Sequence, residues 1–165
     1  MLDGLSSVEL PRPANGDPER FPHAYPTPKQ LTQTLPGFSQ VWQPIGPFPN
    51  AFDYFRDQSF YIIDAPGHLF GHLNCLIRTG PSKWVYLAGD ACHHPDLLSG
   101  KRQIATWKDA HGGCGCVHAD KEATEVTLER IRALARLKRD EVEVVLAHDL
   151  GWRAKNGSRF LPGHL

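Results

Sequence analysis

Three side chains that can bind a metal ion each follow an apolar run of the chain: His68, Asp90 and His148. The runs are rich in β-branched and aromatic residues, which is typical of buried strands. In open α/β sheets, ligands bind in the crevice beyond the carboxyl ends of the strands. Two imidazoles and one carboxylate that meet there suit zinc, iron or manganese. A single histidine or aspartate after a strand is more often a turn residue, so the prediction depends on the joint pattern.

Four further polar residues lie near these three in the sequence and could line the same pocket: His72, His93, His94 and Asp149. His72 could orient a ligand through a hydrogen bond, but it equally suits the edge of a strand. His93 and His94 directly follow Cys92 and equally suit a polar loop. We therefore predict these four as pocket or ligand-supporting residues rather than as ligands.

A glycine-rich loop carries soft ligands close together, namely His111, Cys114, Cys116 and His118. Structural zinc sites usually contain paired ligands such as CxxC and a second paired half. This loop has neither, so a structural zinc ion there is only a hypothesis. The chain has no signal-peptide pattern, and free thiols are therefore expected.

The elements that must position these residues are short strands and one long helix. The strands are predicted at residues 59–64, 72–79, 83–88 and 141–147, and the helix at about 121–138. Asp120 suits the N-cap of this helix. Leu128, Ile131 and Leu134 form an apolar stripe that would face a core. A helix that leads into an apolar strand predicts an α/β or α+β layered architecture.

Residues 1–50 differ from the rest of the chain, because ten of the 14 prolines lie there. Proline has no amide donor and disfavours helix in the residue before it. We therefore predict an extended, loop-rich segment over residues 1–50 and a folded domain over residues 51–165.

Charge and hydropathy narrow the function classes. Lys+Arg and Asp+Glu both number 18, so the formal net charge is zero. Proteins that bind nucleic acid or anionic membranes usually show a basic excess. No apolar run approaches the length needed to span a bilayer. We therefore expect a cytoplasmic protein with no nucleic-acid and no membrane partner.

Three segments resemble the later motifs of the metallo-β-lactamase superfamily, and most closely its lactonase-like hydrolases. They are Asp64-Ala-Pro-Gly-His-Leu-Phe-Gly-His72, Leu87-Ala-Gly-Asp-Ala-Cys-His-His94 and Val145-Leu-Ala-His-Asp149. The resemblance implies an αββα sandwich with one or two divalent ions, zinc or alternatively iron or manganese, that hydrolyses an ester, lactone or thioester. It further implies that His68 binds the first ion, that His148 binds the second, and that Asp90 bridges both as the catalytic carboxylate.

The superfamily's HxHxDH motif, which supplies its remaining ligands, does not occur in this sequence. We therefore expect residues 51–165 to form the C-terminal half of the sandwich, in a truncated hydrolase with impaired catalysis on a small ester-like substrate. Two alternatives remain open: a non-catalytic remnant or binding module that keeps the fold, and a site completed by another chain. A half-sandwich would expose apolar surface, which predicts a homodimer or a partner chain that covers it.

Overall fold

The computed structural model describes residues 42–108 and 113–160, which form a six-stranded sheet, a two-stranded ribbon and three α-helices. The sheet contains β1 (Gln43–Ile45), β2 (Phe48–Asp53), β3 (Phe60–Asp64), β4 (Leu73–Gly80), β5 (Lys83–Leu87) and β8 (Val142–Val145). The ribbon contains β6 (Thr106–Lys108) and β7 (Cys114–Cys116), and the helices are α1 (Pro95–Leu98), α2 (Lys121–Leu137) and α3 (Leu150–Lys155). The predicted α/β architecture is thus confirmed.

The strand order of the sheet is β1-β2-β3-β4-β5-β8. Neighbours from β1 to β5 pair antiparallel, whereas β8 pairs parallel with β5, with Leu87 opposite Val145. A parallel pair needs a crossover connection, and α2 lies in it. Strands β3, β5 and β8 consequently run in the same direction. Their carboxyl ends lie at one edge of the sheet, where the loops that carry the predicted ligands begin.

The core lies between α2 and one face of the sheet. Leu128, Ile131 and Leu134 of the helix are buried there against a sheet surface that includes Phe48 and Tyr86. The Phe48 and Tyr86 rings stack with centroids 5.3 Å apart. Burial of each such side chain contributes about 1.5–3 kcal/mol. This packing fixes the position of α2, and with it the position of the segment that leads into the helix.

The predicted strands at 59–64, 72–79, 83–88 and 141–147 correspond to β3, β4, β5 and β8, and the predicted helix corresponds to α2. These elements could be predicted because their apolar periodicity reflects which side chains the fold buries.

Regular structure begins earlier than residue 51, because β1 and β2 lie partly within the proline-rich segment. Pro44 is tolerated because β1 is an edge strand. Pro49 precedes the pairing of β2 with β3, which starts at Ala51. Residues 1–41 of the predicted segment lie outside the described residues. Within the described residues, no helix combines the length and apolar character that crossing a bilayer would require.

Candidate metal centre

His68, Asp90 and His148 lie at the shared carboxyl edge of the sheet, and the ring of His93 lies among them. His148 Nε2 is 2.8 Å from Asp90 Oδ1. The His93 ring centroid is 5.2 Å from that of His68 and 5.1 Å from that of His148. His93 Nε2 is also 3.6 Å from Asp90 Oδ1. The loops that follow β3, β5 and β8 thus converge at one place.

The convergence produces two adjoining groups of possible ligands. Asp90, His93 and His148 form one group, and His68, His93 and His118 form the other. In each group, one ligand atom from every residue lies within 4.8 Å of the ligand atoms of the other two. The predicted set of His68, Asp90 and His148 is therefore divided between two groups that share His93.

His118 is the member of the site that sequence reasoning missed. The sequence groups it with the cysteines of the glycine-rich loop. It stands between β7 and the N-cap of α2, and its side chain is buried. The available signal was its position two residues before Asp120, the N-cap of α2. Where a helix begins beside the end of a sheet, the residues that precede the helix also lie near that end.

Backbone hydrogen bonds tie the His68 loop to the start of α2. The Ala119 amide donates to the carbonyl oxygen of His68 at 2.9 Å, and the Asp120 amide donates to the carbonyl oxygen of Gly67 at 2.9 Å. Asp120 itself caps α2, since its side chain accepts a hydrogen bond from the Ala123 amide at 2.9 Å. The helix cap and the ligand loop are therefore one hydrogen-bonded unit.

Gly67 allows this close approach. Its φ is +132°, and a Cβ atom at this position would lie 2.4 Å from the Thr124 amide nitrogen. One residue earlier, the carbonyl oxygen of Pro66 accepts a hydrogen bond from Thr127 Oγ1 at 2.7 Å. Only glycine combines that backbone conformation with the space available beside α2.

His72 supports Asp90 through the backbone. Its Nε2 accepts a hydrogen bond from the Asp90 amide at 3.3 Å, and its Nδ1 lies 3.1 Å from the carbonyl oxygen of Ala65. Because Nε2 accepts, the ring proton resides on Nδ1, which donates to Ala65. The neutral His72 ring thus links the loop after β3 to the turn that carries Asp90.

His94 and Asp149 have local capping roles. His94 Nδ1 accepts a hydrogen bond from the Asp96 amide at 3.1 Å at the start of α1. Asp149 Oδ1 accepts one from the Trp152 amide at 2.7 Å at the start of α3. Neither residue belongs to the two groups of ligands found among the described residues.

The cysteines of the glycine-rich loop lie on or beside the ribbon. Cys114 is exposed, and Cys116 Sγ donates a hydrogen bond to the carbonyl oxygen of His118 at 3.1 Å. Both are free thiols and neither joins the ligand groups of the described residues. The fourth member of the predicted cluster, His111, lies outside the described residues.

Burial keeps three of the imidazoles neutral. Burial, reinforced by repulsion from His93 and His68, lowers the pKa of His118 to about 4. Burial also lowers the pKa of His68 and of His93, although the Asp90 carboxylate opposes the shift in both. A neutral imidazole offers the lone pair that a metal ion needs. These rings are therefore in their metal-binding form at neutral pH.

The same three rings have buried nitrogen atoms with no hydrogen-bond partner among the described residues: His68 Nδ1, His93 Nδ1 and both nitrogens of His118. An unsatisfied buried polar group costs about 1–3 kcal/mol. A divalent ion would satisfy such atoms, and imidazole and carboxylate donors suit zinc, iron or manganese. The residues present therefore fit a metal ion.

No family model matches the chain. The cytochrome P450 monooxygenase mpaDE' of Penicillium brevicompactum is 36% identical over 125 residues, which is 67% of this chain and 14% of that protein. The metallo-hydrolase mfmC of Annulohypoxylon moriforme is 54% identical over 56 residues, which is 33% of this chain and 15% of that protein. The chain thus spans about one seventh of the length of these relatives. The monooxygenase name describes a protein that lies mostly outside the match.

A solved structure of an N-acyl homoserine lactone hydrolase, with the product N-hexanoyl-L-homoserine at its catalytic metal centre, has a similar fold. The TM-score is 0.52 at 16% identity, over 70% of this chain and 39% of that chain. This likeness shows the fold, and the metallo-hydrolase relative adds sequence similarity to it. The chain thus carries part of the metallo-β-lactamase fold, and the predicted resemblance to that superfamily is confirmed.

Proposed function

We propose that this chain provides the metal-binding edge of a hydrolase that cleaves a small ester, lactone or thioester. The observation that carries the proposal is the convergence of Asp90, His93 and His148 at the carboxyl edge of the sheet, with His68 beside them. Four metal-competent side chains from three loops meet there, and the relative mfmC is named a metallo-hydrolase.

Asp90, His93 and His148 would hold one divalent ion, and His68 would serve a second. Zinc fits this donor set, with iron and manganese as alternatives. A divalent ion supplies Lewis acidity, which polarises a carbonyl group and lowers the pKa of water.

The residues of the chain hold and move protons around this position. Without metal, His148 Nε2–H donates to Asp90 Oδ1 across 2.8 Å, so metal uptake must displace that proton. The Asp90 carboxylate is partly exposed to solvent and lies next to two imidazoles, which supports a role for it as a proton acceptor during hydrolysis. The hydrogen bond from the Asp90 amide to His72 Nε2 supports the backbone that carries this carboxylate.

The surroundings of the site support a small, partly apolar substrate. The side chains of Asp90 and His148 are 39% and 57% exposed, so a carbonyl group can reach them. Leu69 and Phe70, in the turn after His68, are 57% and 66% exposed. Exposed apolar side chains beside a ligand loop favour contact with an acyl or ring portion of a substrate. This pattern supports the ester, lactone and thioester classes.

The second candidate is a metal-binding module without turnover, or a site that another chain completes. It is favoured by the small number of ligands, because each of the two groups among the described residues contains three side chains and His93 is shared between them. Impaired catalysis belongs to the same candidate, because fewer ligands would hold the ions more weakly.

The test compares hydrolysis of aryl esters, lactones and thioesters by the full chain, loaded in turn with zinc, manganese and iron. We expect metal-dependent hydrolysis that Asp90→Asn and His148→Ala abolish. The matched control is His94→Asn, which removes an imidazole outside the site while asparagine preserves the N-cap of α1. Metal binding without hydrolysis of any of these substrates would instead establish the second candidate.

A further inference from the structure

His118 is the most enclosed titratable side chain of the metal centre. It is 5% exposed, and neither ring nitrogen has a hydrogen-bond partner among the described residues. A buried imidazole normally pairs at least one nitrogen, because an unpaired polar atom in the interior is costly. The ring centroids of His68 and His93 lie 5.4 Å and 5.1 Å from that of His118. The unpaired nitrogens therefore face a common small space.

The backbone on both sides of His118 is fixed. Its own carbonyl oxygen accepts a hydrogen bond from Cys116 Sγ at 3.1 Å. The amide of the next residue, Ala119, donates to the carbonyl oxygen of His68 at 2.9 Å. The backbones that carry His68 and His118 are thus directly hydrogen-bonded. Such an arrangement presents two imidazoles without a further ordering cost on binding.

We propose that His68, His93 and His118 form a three-imidazole site for a zinc-class divalent ion, separate from the position of Asp90 and His148. One nitrogen of each ring lies within 4.8 Å of one nitrogen of the other two, and three imidazoles with an open position are a sufficient ligand set for zinc. The proposal deepens the proposed function, because it names the partners with which His68 would hold the second ion, and it shares His93 with the neighbouring group. It assigns a metal-binding role to His118.

The two positions differ in the residues on which they depend. The three-imidazole site needs neither Asp90 nor His148. A chain with both Asp90→Asn and His148→Ala therefore still binds one zinc or cobalt ion, and adding His118→Ala removes that ion. If the proposed hydrolase function failed instead, the unaltered chain would bind the ion at the three imidazoles but would hydrolyse no substrate.

The experiment titrates the metal-free full chain with Zn²⁺ and with Co²⁺, and records the stoichiometry, the affinity and the visible spectrum of bound cobalt. His118→Ala should weaken binding at this site by more than about 100-fold, since even groups that only support a ligand contribute about 10–100-fold. His94→Asn and Cys114→Ser are matched controls for an imidazole and an exposed thiol outside the site, and both should bind as the unaltered chain does.

A substitution to cysteine distinguishes direct coordination from a structural role. His118→Cys should retain cobalt and add a sulfur-to-cobalt charge-transfer band in the near ultraviolet, because a thiolate is a zinc-class ligand. If His118→Ala does not fold, the spectrum of His118→Cys still tests whether residue 118 coordinates the ion. The proposal is overturned if His118→Cys binds cobalt without the new band, or if a folded His118→Ala binds both metals as the unaltered chain does. Loss of all metal from the Asp90→Asn, His148→Ala chain would overturn it as well.

Discussion

The two ligand groups of the metal centre differ chiefly in their access to water. His118, in the three-imidazole group, is 5% exposed, whereas Asp90 and His148 in the neighbouring group have side chains 39% and 57% exposed. The buried group is anchored by backbone hydrogen bonds between the His68 loop and the start of α2. The exposed group is anchored mainly through the strands β5 and β8 that precede it.

This difference separates two tasks that one site must perform. The more enclosed set of neutral rings favours retention of an ion, because binding satisfies ring nitrogens that have no partner among the described residues. An exposed carboxylate and imidazole favour exchange with substrate and solvent. Changes on the exposed side should therefore mainly affect turnover and the ion held there, and changes on the buried side should mainly affect stability and the ion held by the three imidazoles.

The largest expected effect comes from the exposed side. Asp90→Asn should lower metal-dependent ester or lactone hydrolysis by about 10²–10⁴-fold, since a positioned proton acceptor contributes on that order. The free energy of unfolding of the metal-free chain should change little, because the carboxylate is accessible to water. Initial rates and urea unfolding measure the two quantities. A large loss of stability together with unchanged hydrolysis would contradict the assignment of turnover to the exposed side.

On the buried side, Gly67→Ala should lower the free energy of unfolding by about 3 kcal/mol or more. The new Cβ would lie 2.4 Å from the Thr124 amide nitrogen, in a backbone conformation with φ of +132°. Urea unfolding of the metal-free chain gives the value. Gly100→Ala is the matched control, because Gly100 also has positive φ, at +77°, but a Cβ there meets nothing within 4 Å. Equal losses in the two variants would mean that the contact with α2 is unimportant.

The buried imidazoles should make the metal-free chain sensitive to acid. Burial lowers the pKa of His118 from 6.5 to about 4, so the unfolded state takes up the proton first as the pH falls. The free energy of unfolding should therefore be highest above pH 6.5 and fall between pH 6.5 and about 4, by on the order of 2 kcal/mol. Urea unfolding at a series of pH values, with a chelator present, measures this slope. His118→Gln should flatten the profile, and an unchanged slope would assign the acid sensitivity to other groups.

The smallest expected effect is that of Thr127→Val, which removes the 2.7 Å hydrogen bond from Thr127 Oγ1 to the carbonyl oxygen of Pro66. Because Thr127 is a buried residue of α2 and its bond to Pro66 is partly buried, the loss should be about 1–2 kcal/mol in the free energy of unfolding. Metal affinity should fall slightly with it, as the loop before His68 loosens. Thr106→Val, at an exposed position of β6, should leave both quantities unchanged. If the two valine variants behave alike, the Pro66 contact does not hold the ligand loop.

Much of the frame could be predicted from the sequence. Strands β3, β5 and β8 and helix α2 carry apolar patterns that arise directly from burial, and the metal-competent residues after the strands follow from the shared strand direction. Strands β1 and β2 could not be predicted in the same way, because prolines argue locally against strands, and the edge position that tolerates them is a property of the assembled sheet.

Which residues form the metal centre was harder to predict than the strands and helices that position them. His94 and Asp149 look like ligands in the sequence, yet each lies immediately before a helix and caps it. The proline at the first position of α1 is a local signal that favours such a role for the residue before it. His118 carried only the weaker signal of its position two residues before the N-cap Asp120, because its burial depends on hydrogen bonds from Ala119 and Asp120 to residues far away in the sequence.

The hydrogen bonds between the His68 loop and the start of α2 have a further consequence for the stability of the folded chain. An ion held by His68 and His118 would act as a reversible cross-link, joining the strand that precedes the first imidazole to the helix that follows the second. Unlike a disulfide, such a link exists only while the metal is bound, and it stabilises the folded chain by mass action because unfolding separates the two ligands. The concentration of free zinc would then shift the equilibrium between the folded and the unfolded chain.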